Sequence, residues 1–304
     1  MSWPSEPPEP RTLADELQRE TDPALPSFIG IGPGRTGTTW LHDALSKAVC
    51  LPLIKETTFF SLNWDRGIAW YRNLFRHRRP DQIAGEVCPY FSWPGAAERI
   101  RKVLPNCKII CTLRDPVARA HSQYKMARCN LFVRGTIDDA IERNPRMIEA
   151  GRYATHLPHW FRIFGRENVL VTDFDDLRSD PQRYLDSVCD FVGVARLPLA
   201  ISGVRKGSRN TYDRAPRSRR IAQNARHLKF KLIDRGFHRT FAALERAGIF
   251  DWCAGRGVPF PPLTAEQDSR LREIFRPEID GLEDLLGRDF SKWRIPRNGS
   301  TALV

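Results

Sequence analysis

The sequence lacks the long apolar segments that membrane and secreted proteins carry. Its 304 residues include no apolar run of about 18 residues, and residues 1–25 are polar and proline-rich. We therefore expect neither a membrane span nor a signal peptide. We also expect a cytoplasmic protein in which residues 1–25 form a flexible arm.

Paired cysteine motifs are also missing. The chain has seven cysteines, an odd number, and no C-x-x-C pair; one close pair, Cys107 and Cys111, lies in a predicted strand. Zinc-binding and disulfide-rich proteins space their cysteines in regular pairs. The spacing therefore argues against a metal site and favours reduced thiols.

The composition is that of a globular protein, with 41% hydrophobic and 28% charged residues. We assign residues 26–304 to a single domain. Three short apolar segments are predicted strands, each with a predicted helix after it: residues 26–32, 106–114 and 167–174. This alternation predicts a three-layer α/β fold, with a central parallel β-sheet flanked by helices.

The C-terminal region predicts a helical extension over residues 264–290. Thr264 is the expected N-cap, because Gln267 follows three residues later as a capping-box partner.

A glycine-rich loop follows the first predicted strand in the stretch "GIGPGRTGTTWL", residues 30–41. Gly32 and Gly37 have the separation found in phosphate-binding loops, and Thr39 fills the Ser/Thr position. The usual lysine is missing, because Thr38 occupies its position and the positive charge lies at Arg35. Backbone N–H groups of such a loop bind one phosphate well, whereas a metal-bound triphosphate needs the lysine. The alternative is a tight turn that needs glycine only for its backbone.

A second stretch, "LRDPVARAHSQY", places Arg114 at a strand end and Ser122 about two helical turns later. An arginine and a hydroxyl together can hold a second phosphate. Taken alone, Arg114 could instead pair with Asp115 or another acid, and Ser122 could be an ordinary helix position.

Together the two stretches resemble the sulfotransferases that use 3′-phosphoadenosine 5′-phosphosulfate (PAPS). That family carries [KR]-x-G-T-[ST] and, later, R-D-P-x-x-R-x-x-S-x-Y, which match residues 35–39 and 114–124. The segments "KETTFF" (55–60) and 151–177 are similar to its heparan-sulfate-type branch. The resemblance covers residues 27–210 and implies a P-loop-type fold.

The resemblance also implies which residues bind the donor. The glycine loop would hold the 5′-phosphosulfate, and the second motif, with a late basic loop, would hold the 3′-phosphate. These residues are Gly34, Arg35, Thr36, Gly37, Thr38, Thr39, Arg114, Ser122, Arg205, Lys206 and Gly207. No metal is required, since the donor has no γ-phosphate.

For catalysis the resemblance implies Glu56 as the base and Arg35 as the charge that stabilises the leaving phosphate. Most relatives have lysine where this chain has Arg35, and the two side chains differ in shape and hydration. Lys55 would hold the donor or oppose a raised pKa of Glu56 by its charge. We expect Phe59 and Phe60 to raise that pKa. A surface ion pair between Glu56 and Lys55 is the alternative.

Other side chains near these motifs are weaker candidates. Glu86 could orient the acceptor or an arginine if it is buried. The remaining candidates are histidines that could act as bases, although lone helical histidines are usually structural, and aromatic residues that line a pocket or belong to the core: His121, His156, His159, Tyr90, Phe91 and Trp93.

Residues 205–239 form a basic zone, with twelve Lys/Arg against the two acids Asp213 and Asp234. Its apolar residues fall on a helical stripe: Ile221, Ala225, Leu228 and Leu232. This charge implies an anionic partner, such as an anionic or lipid-linked acceptor, unless it is only an exposed arginine-rich helix.

The predicted function is therefore transfer of a sulfuryl group from PAPS to a hydroxyl or amine of a carbohydrate, lipid or small natural product. One alternative is a P-loop small-molecule kinase, which the missing lysine disfavours. The other is a nucleic-acid or anionic-surface binding module that uses the basic zone. Few aromatic residues lie in that zone, so we expect no nucleic-acid partner. The oligomeric state is not readable from the sequence.

Overall fold

A computed structural model describes residues 22–296 except for a set of positions within that range: 23, 131, 203–213, 216–217, 236, 238–239, 242, 245–246, 250–251 and 253–256. Its described part contains one parallel sheet in the order β2-β1-β3-β4. The strands are β1 (Phe28–Gly32), β2 (Gly85–Val87), β3 (Lys108–Leu113) and β4 (Val169–Asp173). The predicted α/β fold with a parallel sheet is confirmed.

Helices cover both faces of this sheet. In chain order they are α1 (Thr38–Leu45), α2 (Gly67–Asn73), α3 (Ala96–Val103), α4 (Pro116–Cys129), α5 (Ile137–Arg143), α6 (Arg146–Glu149), α7 (Tyr153–Phe164), α8 (Phe174–Ser179), α9 (Pro181–Val192), α10 (Leu199–Ser202), α11 (Arg219–Asp234) and α12 (Ala265–Leu286). Short 3₁₀ turns occur at Trp64–Arg66, Arg166–Asn168 and Ser291–Trp293. No helix of the described ranges is both long and apolar enough to span a bilayer.

The two faces of the sheet pack into separate apolar cores, because side chains alternate along each strand. Phe28 and Ile110 pack with α1 and α9 on one face. Ile29 and Ile109 pack on the other face with α3, α7 and α12. Every residue of β1 is buried, which explains why its sequence is an unbroken apolar run ending in glycine.

All four strands point the same way, so their carboxyl ends meet at one edge of the sheet. Ile29 lies beside Glu86 and Ile109, and Ile109 lies beside Val169. The glycine loop leaves β1 at this edge, and Arg114 follows β3 there. Open α/β sheets bind ligands at this edge.

Local signals set the starts of the two helices that matter most for the site and the core. Asp115 Oδ1 accepts hydrogen bonds from the backbone N–H of Val117 (2.9 Å) and Ala118 (3.3 Å) at the start of α4. The predicted capping box is confirmed at α12, where Thr264 Oγ1 and Gln267 N are 3.1 Å apart. The extension over residues 264–290 is one long helix, and a 3₁₀ turn follows it at Ser291–Trp293.

The structure differs from the sequence prediction in three places. Strand β2 was not predicted; it has only three residues and pairs along the edge of β1. Helical periodicity in the stretch "TTWLHDALSKAV" predicts a helix to Val49, but α1 ends at Leu45. Leu25, in the predicted flexible arm, is buried, and Asp22 pairs with Arg72 at 2.6 Å.

Candidate functional site

The glycine loop between β1 and α1 adopts the tight form that its sequence predicts. Gly32, Arg35 and Gly37 all have positive φ, and Thr36 Oγ1 donates to the carbonyl of Pro33 at 2.7 Å. A Cβ added at Gly37 would lie 2.6 Å from Leu177 Cδ2. Glycine is therefore needed here for both backbone conformation and space, and the start of α1 faces the loop.

Arg35 joins the loop to the second motif, 87 residues away in the chain. Its Nε donates to Ser122 Oγ at 3.1 Å, and Arg114 Nη1 donates to the carbonyl oxygen of Arg35 at 2.9 Å. The guanidinium of Arg114 also lies 4.6 Å from the ring centroid of Phe174. The structure thus brings together three of the predicted site residues: Arg35, Arg114 and Ser122.

Asp115, which follows Arg114, interacts with both α4 and α12. One of its oxygens caps α4, and the other lies 3.7 Å from Arg272 Nη2.

Arg119, the second arginine of the motif, is fully buried beneath this cluster. It donates to Gln123 Oε1 at 2.6 Å and to the carbonyl oxygen of Met147. Burial is the main cause that lowers the pKa of Arg119, and the nearby charge of Arg35 lowers it further. Within the described residues no carboxylate lies within 4.0 Å of this guanidinium. The result is a concentrated positive charge that suits an anionic ligand.

The sequence analysis assigned no role to Arg119. Its position in the motif was visible, but an arginine on a helix gives no sign of complete burial. Only the packing of α4 against α5 and α6 makes it a buried charge.

The segment over residues 55–60 lies beside the glycine loop. Lys55 Nζ donates to Thr39 Oγ1 at 2.6 Å, and no ion pair joins Lys55 to Glu56. Glu56 is exposed, and it and Thr58 have positive φ values of 57° and 50°. Residues other than glycine seldom adopt this conformation, and functional sites are where it concentrates.

Glu86 fixes this segment from below. It is completely buried, and its Oε1 accepts hydrogen bonds from Thr57 N (3.2 Å), Thr57 Oγ1 (2.5 Å) and Tyr90 OH (3.2 Å). Its Oε2 accepts one from Tyr71 OH at 2.6 Å. Burial raises the pKa of Glu86, while the four hydrogen bonds oppose that rise. Glu86 therefore holds the residue next to Glu56. Its described partners are Thr57, Tyr71 and Tyr90 rather than an arginine, and a role in orienting the acceptor stays a prediction.

Phe59 and Phe60 do not form the apolar surroundings that the sequence analysis expected for Glu56. Phe59 and Phe60 are buried in the core, where the Phe59 ring stacks on Tyr71 with centroids 4.4 Å apart. They support the segment from inside and leave Glu56 exposed to solvent.

The other aromatic candidates are mainly structural. Tyr90 and Phe91 are buried in the core, and Trp160 Nε1 donates to the carbonyl of Phe91 at 2.9 Å. Trp93 is half-buried, with the guanidinium of Arg146 3.9 Å from its ring centroid.

The histidines lie on helices and interact with neighbouring side chains. His156 Nε2 is 2.7 Å from Glu149 Oε1, and His159 Nε2 is 3.0 Å from Glu98 Oε1. His121 lies one residue before Ser122, and its ring stacks with Tyr124.

The predicted late basic loop, Arg205, Lys206 and Gly207, lies outside the described residues.

Two other predicted donor-binding residues are partly buried: Gly34 in the glycine loop and Thr38 at the start of α1. Among the residues that the structure covers, no group of three potential ligands could hold a metal ion.

Comparison with known proteins gives the family context. Residues 26–283 match the family model described as a sulfotransferase domain. The chain is 34% identical over 296 residues to human heparan sulfate glucosamine 3-O-sulfotransferase 3A1, with 92% of this chain and 65% of the relative covered. It is 31% identical to human 3-O-sulfotransferase 3B1, covering 94% of this chain and 70% of the relative.

A second group of relatives matches over a shorter length. Human bifunctional heparan sulfate N-deacetylase/N-sulfotransferase 3 is 30% identical, and the match covers 58% of this chain and 23% of that protein. The chain thus spans about two thirds or less of several relatives. A solved sulfotransferase from Alicyclobacillus acidocaldarius shares the fold, with a TM-score of 0.64, 22% identity, and 89% and 99% of the two chains covered.

Proposed function

Since the chain belongs to the sulfotransferase family, as its motifs predicted, we propose that it transfers a sulfuryl group from PAPS to a hydroxyl of a carbohydrate acceptor. One observation carries this proposal. Arg35 of the glycine loop is bonded to Ser122 of the second motif, so two anion-binding elements form a single site. A donor with two separate phosphate groups suits such a site.

The donor explains why the loop lacks the usual lysine. PAPS carries a 5′-phosphate joined to sulfate and has no γ-phosphate for a lysine to hold. We assign the 5′-phosphosulfate to residues 34–39, and the 3′-phosphate to Arg114, Ser122 and the basic loop 205–207. The buried positive charge of Arg119 supports this assignment, because its attraction to an anion bound nearby lowers the free energy of the complex.

The proposed mechanism is an in-line transfer in which Glu56 acts as base. Glu56 removes the proton of the acceptor hydroxyl while the oxygen of that hydroxyl bonds to the sulfur of PAPS. The bond between sulfur and the bridging phosphate oxygen breaks at the same time. Negative charge then grows on the leaving phosphate, where Arg35 and the loop N–H groups stabilise it. Lys55, bonded to Thr39 at the start of α1, adds charge beside the donor.

The names of the relatives support a carbohydrate acceptor. The matches to 3-O-sulfotransferases cover nearly all of this chain, whereas the matches to N-sulfotransferases cover about three fifths of it. We therefore favour a sugar hydroxyl over an amine. A heparan-type polysaccharide is the first acceptor to test, and lipids and small natural products follow. Cytoplasmic localisation stays a prediction.

Donor binding can be tested by calorimetry. The purified protein is titrated with 3′,5′-adenosine bisphosphate, the spent donor, and separately with ATP and Mg²⁺. We expect metal-independent binding of the bisphosphate, with a loss of at least about tenfold in Arg114→Ala, since a charged hydrogen bond contributes about 1.5–3 kcal/mol. Arg166→Ala, on the 3₁₀ turn before β4, is the matched control and should bind as the wild type does. Preference for ATP with Mg²⁺ would favour a kinase.

Turnover tests the catalytic assignment separately. Labelled PAPS is supplied with N-sulfated and unsulfated heparan-type polysaccharides, and transfer of label to the polymer is followed. Glu56→Gln should bind the bisphosphate normally and lose at least about a hundredfold in kcat, because general base catalysis contributes about 10²–10⁴-fold. Normal turnover in this variant would remove Glu56 from the mechanism while leaving the donor assignment intact.

A further inference from the structure

Helix α11 (Arg219–Asp234) belongs to an excursion of the chain that the proposed reaction does not use. Its base is an antiparallel bridge between Arg214 and Pro259, where Ala215 N donates to the carbonyl of Val258 at 2.9 Å. Cys129 Sγ, at the end of α4, lies 3.1 Å from the carbonyl of Arg214. The excursion is therefore attached at the far end of the helix that carries Ser122.

The two largest exposed residues of the predicted apolar stripe on α11 are in contact with solvent, whereas Ala225 and Leu232 are half-buried. Ile221 is 48% exposed and Leu228 is 46% exposed, although both lie on one side of the helix. Two large residues later in the excursion, Phe237 and Trp252, are 54% and 78% exposed. A soluble protein seldom leaves several large apolar side chains of one segment in solvent without a partner for them.

Positive charges flank this stripe on both sides. A helix advances by about 100° per residue, which places Arg220 and Lys231 about 80–100° to one side of Ile221 and Lys229 about 80° to the other. Arg220 and Lys231 are exposed, Lys229 is half-buried, and Arg235 is exposed just after the helix. Lys229 Nζ lies 5.1 Å from the ring centroid of Phe241, which fixes the orientation of that charge.

We propose that the exposed face of α11, with Phe237 just after it, docks on an anionic lipid bilayer. An apolar stripe with lysine and arginine on its flanks is the arrangement of helices that lie in the membrane interface. The flanking side chains can reach lipid phosphates while the stripe enters the acyl boundary. A soluble polyanion such as nucleic acid or an acidic polysaccharide would use the charges alone, and it would leave Ile221 and Leu228 in water.

Vesicle sedimentation tests the proposal with the full chain. The probes are phosphatidylcholine vesicles and vesicles of phosphatidylcholine mixed with about one-third phosphatidylglycerol. We expect binding to the mixed vesicles only. The double variant Ile221→Ser with Leu228→Ser should weaken binding at least about tenfold, since two apolar side chains no longer enter the bilayer. Lys231→Gln and Arg235→Gln should each weaken it about fivefold.

Matched controls separate docking from general effects. Ile295→Ser removes a more exposed apolar residue elsewhere, and Lys102→Gln removes an exposed charge on α3; both should bind as the wild type does. Circular dichroism and a thermal melt check that each variant is folded. Absence of binding to the mixed vesicles would overturn the proposal. Full retention of vesicle binding by the Ile221/Leu228 double variant would also overturn it. If soluble heparin then displaces the vesicles, the surface is a polyanion site.

Discussion

The buried network around Glu86 makes a quantitative prediction for the variant Tyr71→Phe. This change removes a single hydroxyl, which donates to Glu86 Oε2 at 2.6 Å, and keeps the aromatic ring that stacks on Phe59. Both partners are completely buried, so water cannot replace the lost donor. The cost should therefore depend on the charge of Glu86.

The magnitude follows from the protonation state of that carboxyl. A hydrogen bond to a neutral group contributes about 1 kcal/mol to stability, whereas one to a charged group contributes about 1.5–3 kcal/mol. At acid pH, where Glu86 is protonated, we expect the variant to lose about 1 kcal/mol. At alkaline pH, where Glu86 is ionised, we expect a loss of about 2–3 kcal/mol.

The sign of the pH dependence is fixed by the direction of the pKa shift. Burial raises the pKa of Glu86 in the folded protein above its value in the unfolded chain. The free energy of unfolding therefore falls as the pH rises from the unfolded-state pKa through the folded-state pKa. Without the Tyr71 hydroxyl the folded pKa rises further. The free energy of unfolding of Tyr71→Phe should then fall more steeply with pH than that of the wild type.

Urea denaturation over a series of pH values from acid to alkaline measures this difference, and Tyr153→Phe is the matched control. Tyr153 is also buried, but its hydroxyl donates to a neutral acceptor, the carbonyl of Arg114, at 2.7 Å. The loss in Tyr153→Phe should be about 1 kcal/mol throughout the pH series. An equal, pH-independent loss in the two variants would refute an ionised Glu86 at the centre of the network.

Three further variants test other parts of the structure. Gly37→Ala should lose about 2–4 kcal/mol, from its positive φ and the close Leu177, and a melting temperature equal to that of the wild type would contradict the loop geometry. Thr264→Ala should lose about 1 kcal/mol in urea denaturation and bind the bisphosphate normally; weakened binding would show that α12 does more than support the core. Arg35→Lys keeps the charge but not the Nε bond to Ser122, so calorimetry should find bisphosphate binding about three- to tenfold weaker; unchanged affinity would mean that this bond does not matter.

The sequence predicted those parts of the fold that local signals determine. The apolar segments ending at Gly32 and Leu113 are strands because their side chains are buried on both faces of the sheet. The start of α12 follows from the predicted capping residue Thr264, which acts on the next few backbone N–H groups.

The structural features that the sequence did not predict depend on contacts between residues far apart in the chain. Strand β2 has three residues and no periodicity, and it exists because it pairs with β1. No local sequence signal predicts that Phe59 faces the core while Glu56 faces solvent. The directions of these side chains depend on two positive φ values, at Glu56 and Thr58, in a segment outside regular helix and strand. The role of Glu86 likewise requires Thr57 and Tyr71 to meet it in space.

The bond between Arg35 and Ser122 changes how the two motifs should be understood. A serine hydroxyl has one proton to donate and two lone pairs to accept with, so accepting from Arg35 Nε still allows it to donate to a phosphate. The planar guanidinium of Arg35 also has further N–H groups in a fixed fork, whereas a lysine ammonium at this position would concentrate its charge at one point. Arginine can therefore contact α4 and a bound anion together. The arginine that departs from the common lysine is thus the residue that connects the two anion-binding elements of the site.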